Sequence, residues 1–220
     1  MSLSPEIINV LLMVLALMIS IIGHEIMHGL VAYHYGDDTA KSMGRLSINP
    51  IKHIDPIGSI LIPGILYVTQ APFLFGWAKP VPVNISSIIQ QHGYGAGIGV
   101  AIAGVCFNLA LALLASLFLF SGVFDGISKD SWVVLVVLFL VMLIKYNVIL
   151  CVFNLWPIPP LDGSQVLLFV ALKFRFHKLA LFLQKIAPYG MIILIVILFV
   201  PFLSSFLFYP ARILLAFLLL

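Results

Sequence analysis

The sequence predicts an all-α polytopic membrane protein, and its composition and its apolar pattern both lead to this prediction. Of the 220 residues, 63% are hydrophobic and only 9% are charged, whereas about a quarter of the residues in soluble domains are charged. A soluble chain of this length could not bury so much apolar surface. The apolar residues also form continuous runs rather than the alternating pattern of a membrane β-barrel, so the spanning segments are expected to be helices.

The charged residues and the cysteines limit the functions that the chain can have. The formal net charge is only +3, without a basic stripe of the kind that binds nucleic acid, so no nucleic-acid partner is expected. Cys106 and Cys151 lie far apart within apolar runs, which predicts small buried side chains rather than a disulfide or a cysteine metal site. The first apolar run is too long for a cleavable signal peptide. We expect one membrane-embedded domain over residues 1–220.

The first long apolar run predicts a helix over about residues 5–34. Ser4, Pro5 and Glu6 place a capping hydroxyl, a proline at the first helical position and an acid near the positive end of the helix dipole. Gly36, which two aspartates follow, predicts the end of the helix. A segment of this length can cross a bilayer.

Further apolar runs complete the predicted membrane segments. Two are continuous, at about 93–121 and 131–153, and each is expected to form one spanning helix. The run at about 188–220 is interrupted by two prolines and an arginine, so one span plus a shorter interfacial helix is expected there. An apolar stretch also follows residues 154–163 as far as Leu172, which gives a membrane core over about 5–172.

The distribution of basic residues predicts the orientation of the chain. Lysine and arginine are concentrated in segments 37–56 and 173–185, which the positive-inside rule places in the cytoplasm. The loop at 121–130 then lies outside. The segment 56–77 must start and finish on the cytoplasmic side, so a re-entrant or interfacial path is expected between the first two long helices. Its prolines and glycines are tolerated at membrane depth only beside protein or a water-filled cavity. The expected total is about 5–6 membrane segments.

Three ionisable residues inside the first apolar run indicate a metal site. Each such residue costs a few kcal/mol at the centre of a membrane helix, yet HEIMH brings His24, Glu25 and His28 together. Four residues apart on a helix, the two histidines lie on one face and can reach one metal ion. Glu25 lies at the edge of that face, within reach of a water on the metal. The alternatives are a chance match or a buried histidine pair that binds no metal.

A hydrolytic zinc site needs a third protein ligand and an open position. Asp162 is at the start of an apolar stretch that follows the run at about 131–153. It is expected on the same side of the membrane as the two histidines. Asp162 is equally well explained as a helix cap in an Asp-Gly turn, but the need of the two histidines for a partner favours the ligand. The other acids and His34 are expected at helix ends or in loops: Glu6, Asp37, Asp38, Asp55, Asp125 and Asp130.

Two motifs together carry a resemblance to a known family. GHEIMHG at 23–29, followed by NLWPIPPLDG at 154–163, resembles the site-2 protease family of intramembrane zinc metalloproteases. NPIKHIDPIGSI at 49–60 and FGWAKPVPVN at 75–84 are similar to segments of its compact bacterial and archaeal branch. The resemblance covers most of the chain, from about Ile19 to Leu172. No stretch long enough for a PDZ or CBS domain is present.

The resemblance implies a role for each matching residue. His24, His28 and Asp162 would bind one zinc ion, Glu25 would be the catalytic base, and Asn154 would hold the substrate or stabilise the oxyanion. The implied substrate is a membrane protein with a transmembrane segment, cut in the cell membrane in regulated intramembrane proteolysis. The implied active site lies toward the cytoplasmic half of the bilayer.

Two residues are weaker candidates for the site. The family segment A-G-P-x-x-N is matched in part by AGVCFN at 103–108, where Asn108 is kept but Val105 replaces the proline. His53 lies in a basic loop, and the resemblance favours a place near the entrance of the active site. Segment 63–84 is a candidate edge for pairing with an extended substrate.

Other classes of function remain open at this point. A transporter or channel also uses broken helices and intramembrane ionisable residues, although such proteins usually show internal repeats and none is found here. A relative that binds membrane segments without cutting them would show the same polar cluster. A zinc enzyme with a small lipid-like substrate is a third alternative.

Overall fold

The computed structural model describes residues 4–69, 76–125 and 131–219, and this part of the chain is mostly helical, without a β-strand. Ten α-helices occur in it, joined by two 3₁₀ turns and one π-helical turn: α1 Pro5–His34, α2 Thr39–Ser42, 3₁₀ Pro50–His53, π Pro56–Leu61, α3 Ile62–Val68, α4 Ile85–His92, α5 Tyr94–Leu119, α6 Ser131–Leu155, α7 Asp162–Lys173, α8 His177–Ile186, 3₁₀ Ala187–Tyr189, α9 Gly190–Phe199 and α10 Pro201–Leu218.

Five of these helical segments are long and apolar enough to cross a membrane: Pro5–His34, Tyr94–Leu119, Trp132–Leu155, His177–Phe199 and Pro201–Leu218. The prediction of an all-α polytopic membrane protein is therefore confirmed. The bounds of the first three segments lie within two residues of the apolar runs in the sequence, because hydrophobic length alone determines a membrane helix.

Helix α1 begins and ends where its local sequence predicts. Ser4 is in the extended conformation before Pro5 at the first helical position, and Glu6 lies in the first turn. The predicted cap is wrong in one respect, because the Ser4 hydroxyl makes no capping hydrogen bond. At the other end Gly36 has a φ of +87°, a conformation that glycine adopts without the strain of a side chain. The chain can therefore leave the helix at once and turn into the polar segment that follows.

Helices α1, α5 and α6 form the core around which the others pack. Helix α5 runs antiparallel to α1. Three of its residues, at four-residue spacing, face Ser20, His24 and His28 on α1. Val100 lies against His28, Gly104 against both histidines, and Asn108 against His24 and Ser20. Alanines in the α1–α5–α6 interface allow close approach of the helices.

The C-terminal third differs in part from the expectation. The basic segment 173–185 was expected to be a cytoplasmic loop, but α8 begins at His177 and leads through a 3₁₀ turn into α9. Its Ala180 and Leu183 are buried while Lys178 and Lys185 are exposed. This amphipathic pattern supports a helix, and the count of basic residues along the chain did not reveal it.

Helix α10 is itself long and apolar enough to cross a membrane, so the C-terminal run contains a second candidate span instead of the expected shorter interfacial helix. Trp156 directly follows α6, and its indole Nε1 donates to the carbonyl of Leu207 (3.1 Å) in the first half of α10. At the end of α10, the hydroxyl of Ser116 on α5 donates to the carbonyl of Leu218 (2.7 Å). Helix α9 packs beside the loop between α6 and α7, since Leu194 and Leu198 form one apolar cluster with Leu161 and Leu207.

The segment after α1 is irregular, as its prolines and glycines indicate. Asp55 caps the π-helical turn by accepting hydrogen bonds from the N–H groups of Ile57 (2.9 Å) and Gly58 (2.7 Å). The apolar helical stretch Pro56–Leu66 is too short to cross a bilayer, which agrees with a re-entrant or interfacial segment. Residues 70–75 lie outside the described part, and the chain then continues without regular structure through residues 76–84.

Candidate active site

Three predicted ligands from distant parts of the sequence converge on one point. The Nε2 atoms of His24 and His28 are 3.1 Å apart. The Oδ2 atom of Asp162 lies 3.1 Å from the first of these nitrogens and 3.4 Å from the second. Helix α1 supplies both histidines from one face, and the first residue of α7 supplies the aspartate. The three side chains are 9%, 13% and 14% exposed, so the cluster is mostly buried.

The carboxylate of Asp162 does not cap α7. Leu161 occupies the N-cap position, and no side-chain capping hydrogen bond is formed there. Oδ2 of Asp162 is buried and accepts no hydrogen bond. A buried carboxylate oxygen without a donor is costly, so this oxygen requires a cation. The alternative explanation of Asp162 as a helix cap is therefore excluded.

The other ring nitrogen of each histidine is held by a hydrogen-bond acceptor. Nδ1 of His24 lies 2.6 Å from Oδ1 of Asn108, and Nδ1 of His28 lies 2.7 Å from the carbonyl of Val100. A carbonyl can only accept, so both Nδ1 atoms carry the hydrogen. In the neutral imidazoles the two Nε2 atoms then present lone pairs to the centre of the cluster, which is the tautomer that metal-binding histidines adopt.

The donor set and its spacing fit a zinc ion. Two nitrogens and one carboxylate oxygen are typical zinc ligands at about 2.0–2.2 Å, and at the tetrahedral angle such ligand atoms lie about 3.3–3.5 Å apart. Of the three distances, 3.4 Å lies within that range and the two of 3.1 Å lie slightly below it. Without an ion, the same three atoms would need a histidine protonated at Nε2 to donate to Asp162.

Gly104 allows α5 to pack against the two histidines. A Cβ atom at this position would lie 2.5 Å from Nδ1 of His24 and 2.6 Å from Nε2 of His28. Any side chain here would displace the rings. The sequence motif AGVCFN contains this glycine, but the expected role of the motif concerned only Asn108.

Glu25 lies beside the cluster and is held by the backbone of a distant segment. Its Oε2 accepts a hydrogen bond from the N–H of Val81 (2.9 Å). Its other oxygen, Oε1, has no hydrogen bond to the described residues. Glu25, the three clustered residues, Asn154 and Gln165 line a cavity of about 560 Å³. The cavity gives the cluster an open side, as a catalytic metal centre requires.

Residues 76–84, which we term the strap, lie across this cavity and are anchored through their backbone. Arg45, only 7% exposed, donates from Nη2 to the carbonyls of Lys79 (2.7 Å) and Pro80 (3.2 Å). The N–H of Asn84 donates to Oδ2 of Asp37 (2.6 Å), and the N–H of Trp77 donates to the carbonyl of Gly58 (3.1 Å).

The remaining candidates occupy different places. Asn154 lines the cavity and donates from Nδ2 to the carbonyl of Leu150 (3.1 Å) one turn earlier in α6. Asn108 contacts His24 rather than the cavity. His53 is 3% exposed and does not line the cavity. It donates from Nε2 to the carbonyl of Ser47 (2.7 Å), and its own carbonyl accepts the N–H of Lys79 in the strap (2.9 Å).

The sequence motifs did not reveal Ser20 and Asn147, two fully buried polar residues that are hydrogen-bonded to Asn108. A signal for them does exist, because polar amides in the middle of apolar helices are expensive unless they have partners. Arg45 was predicted only as a basic loop residue, and its contacts with the strap were not expected from the sequence.

Comparison with known proteins agrees with this arrangement. The model of peptidase family M50 matches residues 120–198, which include Asn154 and Asp162. A Bacillus subtilis (strain 168) protein, YwhC, is 40% identical over 156 residues that make up 70% of this chain and 67% of that protein. The chain belongs to peptidase family M50, the family of the site-2 proteases.

A more distant relative covers almost the whole chain. Rip2 of Mycolicibacterium smegmatis (strain ATCC 700084 / mc(2)155) is 27% identical over 204 residues, 90% of this chain and 70% of that protein. Both relatives are provisionally named zinc metalloproteases. No solved structure matches the chain significantly. As a family M50 member with five apolar helices, the protein is a multi-pass membrane metalloprotease of the site-2 type.

Proposed function

We propose that this chain is an intramembrane zinc metalloprotease that hydrolyses a peptide bond within or near a transmembrane segment of a membrane protein. One observation carries the proposal: three buried acceptor atoms, from His24, His28 and Asp162, converge at zinc-ligand spacing. Glu25 lies beside them on the same cavity. One ion per chain completes this set.

The position of the site along α1 supports cleavage below the membrane surface. His24 lies ten residues before the end of the helix at His34, which corresponds to about 15 Å. The basic residues Lys41, Arg45 and Lys52 follow this end of the helix, so we place the site in the cytoplasmic half of the cell membrane.

The reaction needs a base, a proton donor and a group that binds the substrate carbonyl. When bound, the zinc ion lowers the pKa of a water molecule and polarises the scissile carbonyl. Glu25 takes the proton from the attacking water at Oε1, because the Val81 N–H already occupies Oε2. Glu25 then returns the proton to the leaving amine. Asn154 uses one amide hydrogen for Leu150 and can donate the other to the substrate carbonyl.

Substrate pairing along the strap is limited by its own hydrogen bonds. The N–H groups of Trp77, Lys79 and Val81 all donate to the protein, and alternate residues of an extended chain face opposite sides. On the opposite edge, Pro80 and Pro82 have no N–H to offer. We therefore propose that the substrate is held mainly in the cavity, where a helical segment must unwind to expose its carbonyl.

The first experiment measures zinc content and cleavage together on detergent-purified protein. We expect about one zinc per chain in the wild type, a marked loss in Asp162→Ala and no loss in the control Asp125→Ala, whose acid lies in the loop after α5. The wild type should cut a transmembrane peptide that carries helix-breaking residues faster than one of helix-favouring residues. Absence of stoichiometric zinc from the wild type, even after reconstitution, would overturn the proposal.

A further inference from the structure

We propose that Asn147 and Ser20 are positioning residues of the metal centre, which act on His24 through Asn108. This inference rests on the proposed function, because it assumes that His24 binds the ion. Neither residue lines the cavity, so neither contacts substrate. Both are 0% exposed, as is Asn108.

The three side chains form a continuous hydrogen-bond network between α1, α5 and α6. Nδ2 of Asn147 donates to the hydroxyl of Ser20 (2.7 Å) and to the carbonyl of Leu143 (2.8 Å). Nδ2 of Asn108 donates to Oδ1 of Asn147 (2.8 Å) and to the carbonyl of Ser20 (3.1 Å). Oδ1 of Asn108 then faces Nδ1 of His24 at 2.6 Å.

Two backbone carbonyls fix the direction of every bond in this network. The carbonyl of Leu143 accepts from Asn147 and therefore requires the NH₂ group of that amide. The carbonyl of Ser20 imposes the same requirement on Asn108. The oxygen of Asn147 is left to face the second amide hydrogen of Asn108. Neither amide can flip without placing its oxygen against a buried carbonyl oxygen. Such a flip would break the buried hydrogen bond and leave both acceptors unsatisfied, which is unfavourable.

The consequence is a single tautomer of His24. With the oxygen of Asn108 directed at Nδ1, that nitrogen carries the hydrogen and Nε2 keeps its lone pair toward the metal centre. An Asn108 amide that flipped would instead present its NH₂ group to Nδ1 and favour a hydrogen on Nε2, where the ion binds. Asn147 and the Ser20 carbonyl hold Asn108 against that flip. Ser20 also orients Asn147 through its hydroxyl, which in turn donates to the carbonyl of Ala16 (2.7 Å).

A purely structural role for these residues makes a different prediction. Interhelical hydrogen bonds stabilise membrane helix bundles in general, and loss of Asn147 would then reduce stability without a specific effect on His24. Aspartate at position 108 separates the two explanations. A carboxylate accepts from Nδ1 of His24 in either orientation, and carboxylate–histidine–zinc arrangements are common. Its second oxygen then replaces the NH₂ group that faces the carbonyl of Ser20 and Oδ1 of Asn147. In that background Asn147 therefore no longer favours the orientation of residue 108 that binds His24.

The test is zinc affinity, measured by competition with a chromogenic chelator on purified protein, for Asn147→Leu alone and combined with Asn108→Asp. We expect Asn147→Leu to bind zinc about tenfold more weakly, at the lower end of the effect of outer-shell substitutions. The same substitution should cause no further loss in the Asn108→Asp background. Ser116→Ala is the matched control, because it removes a buried interhelical hydrogen bond between α5 and α10 and should leave zinc affinity unchanged.

A milder variant covers the case in which Asn147→Leu does not fold. Ser20→Ala removes one acceptor of Asn147, and we expect about threefold weaker zinc binding, the equivalent of one interhelical hydrogen bond. When Co²⁺ replaces zinc, each variant that binds zinc more weakly should show a visible absorption spectrum that differs from that of the Co²⁺-substituted wild type. Wild-type zinc affinity in both variants would overturn the inference and leave the proposed function intact, as would an equal loss in both backgrounds. A wild type that binds no zinc would overturn both.

Discussion

The carboxylate of Glu25 accepts a hydrogen bond from the backbone N–H of Val81 at 2.9 Å, although the two residues are 56 positions apart along the chain. This bond fixes one oxygen of Glu25, the proposed base, and leaves the other for the proposed proton transfer. It also couples the base to the strap, residues 76–84, which Arg45, Asp37 and His53 anchor from outside the cavity. The environment of the base is therefore determined by a segment without regular secondary structure.

Substitution Glu25→Gln should abolish proton transfer and keep the metal ligands. The amide retains the size and the acceptor oxygen for Val81 but cannot take a proton, so we expect cleavage about 10²–10⁴-fold slower with unchanged zinc content. Cleavage of a transmembrane peptide and metal analysis by mass spectrometry on the same sample check this. Glu6→Gln, an exposed acid at the far end of α1, is the control. Wild-type cleavage by Glu25→Gln would show that another group is the base.

Substitution Arg45→Met should reduce activity by releasing the strap while zinc stays bound. The guanidinium makes two hydrogen bonds to the carbonyls of Lys79 and Pro80, and hydrogen bonds of charged groups each contribute about 1.5–3 kcal/mol. We expect kcat/KM to fall about tenfold or more. Lys52→Met is the control, since the ammonium group of this exposed lysine donates to the carbonyl of Gly44, which lies outside the strap. Equal effects of the two substitutions would argue against a specific role of Arg45.

The sequence predicted those parts of the molecule that depend on local pattern. The bounds of α1, and the stacking of His24 and His28, follow from apolar length, the Ser-Pro start and helix periodicity. Asp162 was identified as a ligand by elimination among the acids and by resemblance, and the structure brings it to the histidines. These features need no knowledge of how distant segments pack.

The features that the sequence did not predict depend on long-range contacts. In the sequence, Arg45 resembles any basic loop residue. Only the folded structure places two carbonyls of the strap beside its guanidinium. Asn147 lies among apolar residues of α6, and only the packing of α6 against α1 and α5 gives it partners. For His53, the contact with the strap comes from its backbone carbonyl, which has no sequence signature.

Asp37 makes the attachment of the strap sensitive to pH. Burial raises the pKa of Asp37, but the hydrogen bonds from the hydroxyl and N–H of Thr39 and from the N–H of Asn84 outweigh burial and lower the pKa below its ordinary value. The folded state therefore gains stability from the ionised carboxylate at pH values above the ordinary aspartate pKa of about 3.9. That contribution is lost as the pH falls through the lowered pKa of the folded state.

We accordingly expect Asp37→Asn to lower the melting temperature at pH 7 and to weaken its dependence on pH below about 4. Thermal unfolding in detergent at pH 7 and at several acidic values measures both. Asp38→Asn is the control, because its exposed carboxylate makes no capping hydrogen bond to α2. A wild-type pH dependence in Asp37→Asn would assign the effect to other carboxylates.

Substitution Gly104→Ala should weaken zinc binding without changing a ligand. The added Cβ would lie 2.5 Å from Nδ1 of His24 and 2.6 Å from Nε2 of His28, well inside van der Waals contact, so either the rings or helix α5 must move. Because ligand geometry is then disturbed, we expect zinc affinity to fall at least about tenfold. Gly99→Ala on the same helix is the matched control, since its nearest neighbour would be the hydroxyl of Tyr35 at 3.5 Å. Competition with a chelator measures the zinc affinity of both variants. If both bound zinc as tightly as the wild type, α5 would not hold the histidines in place.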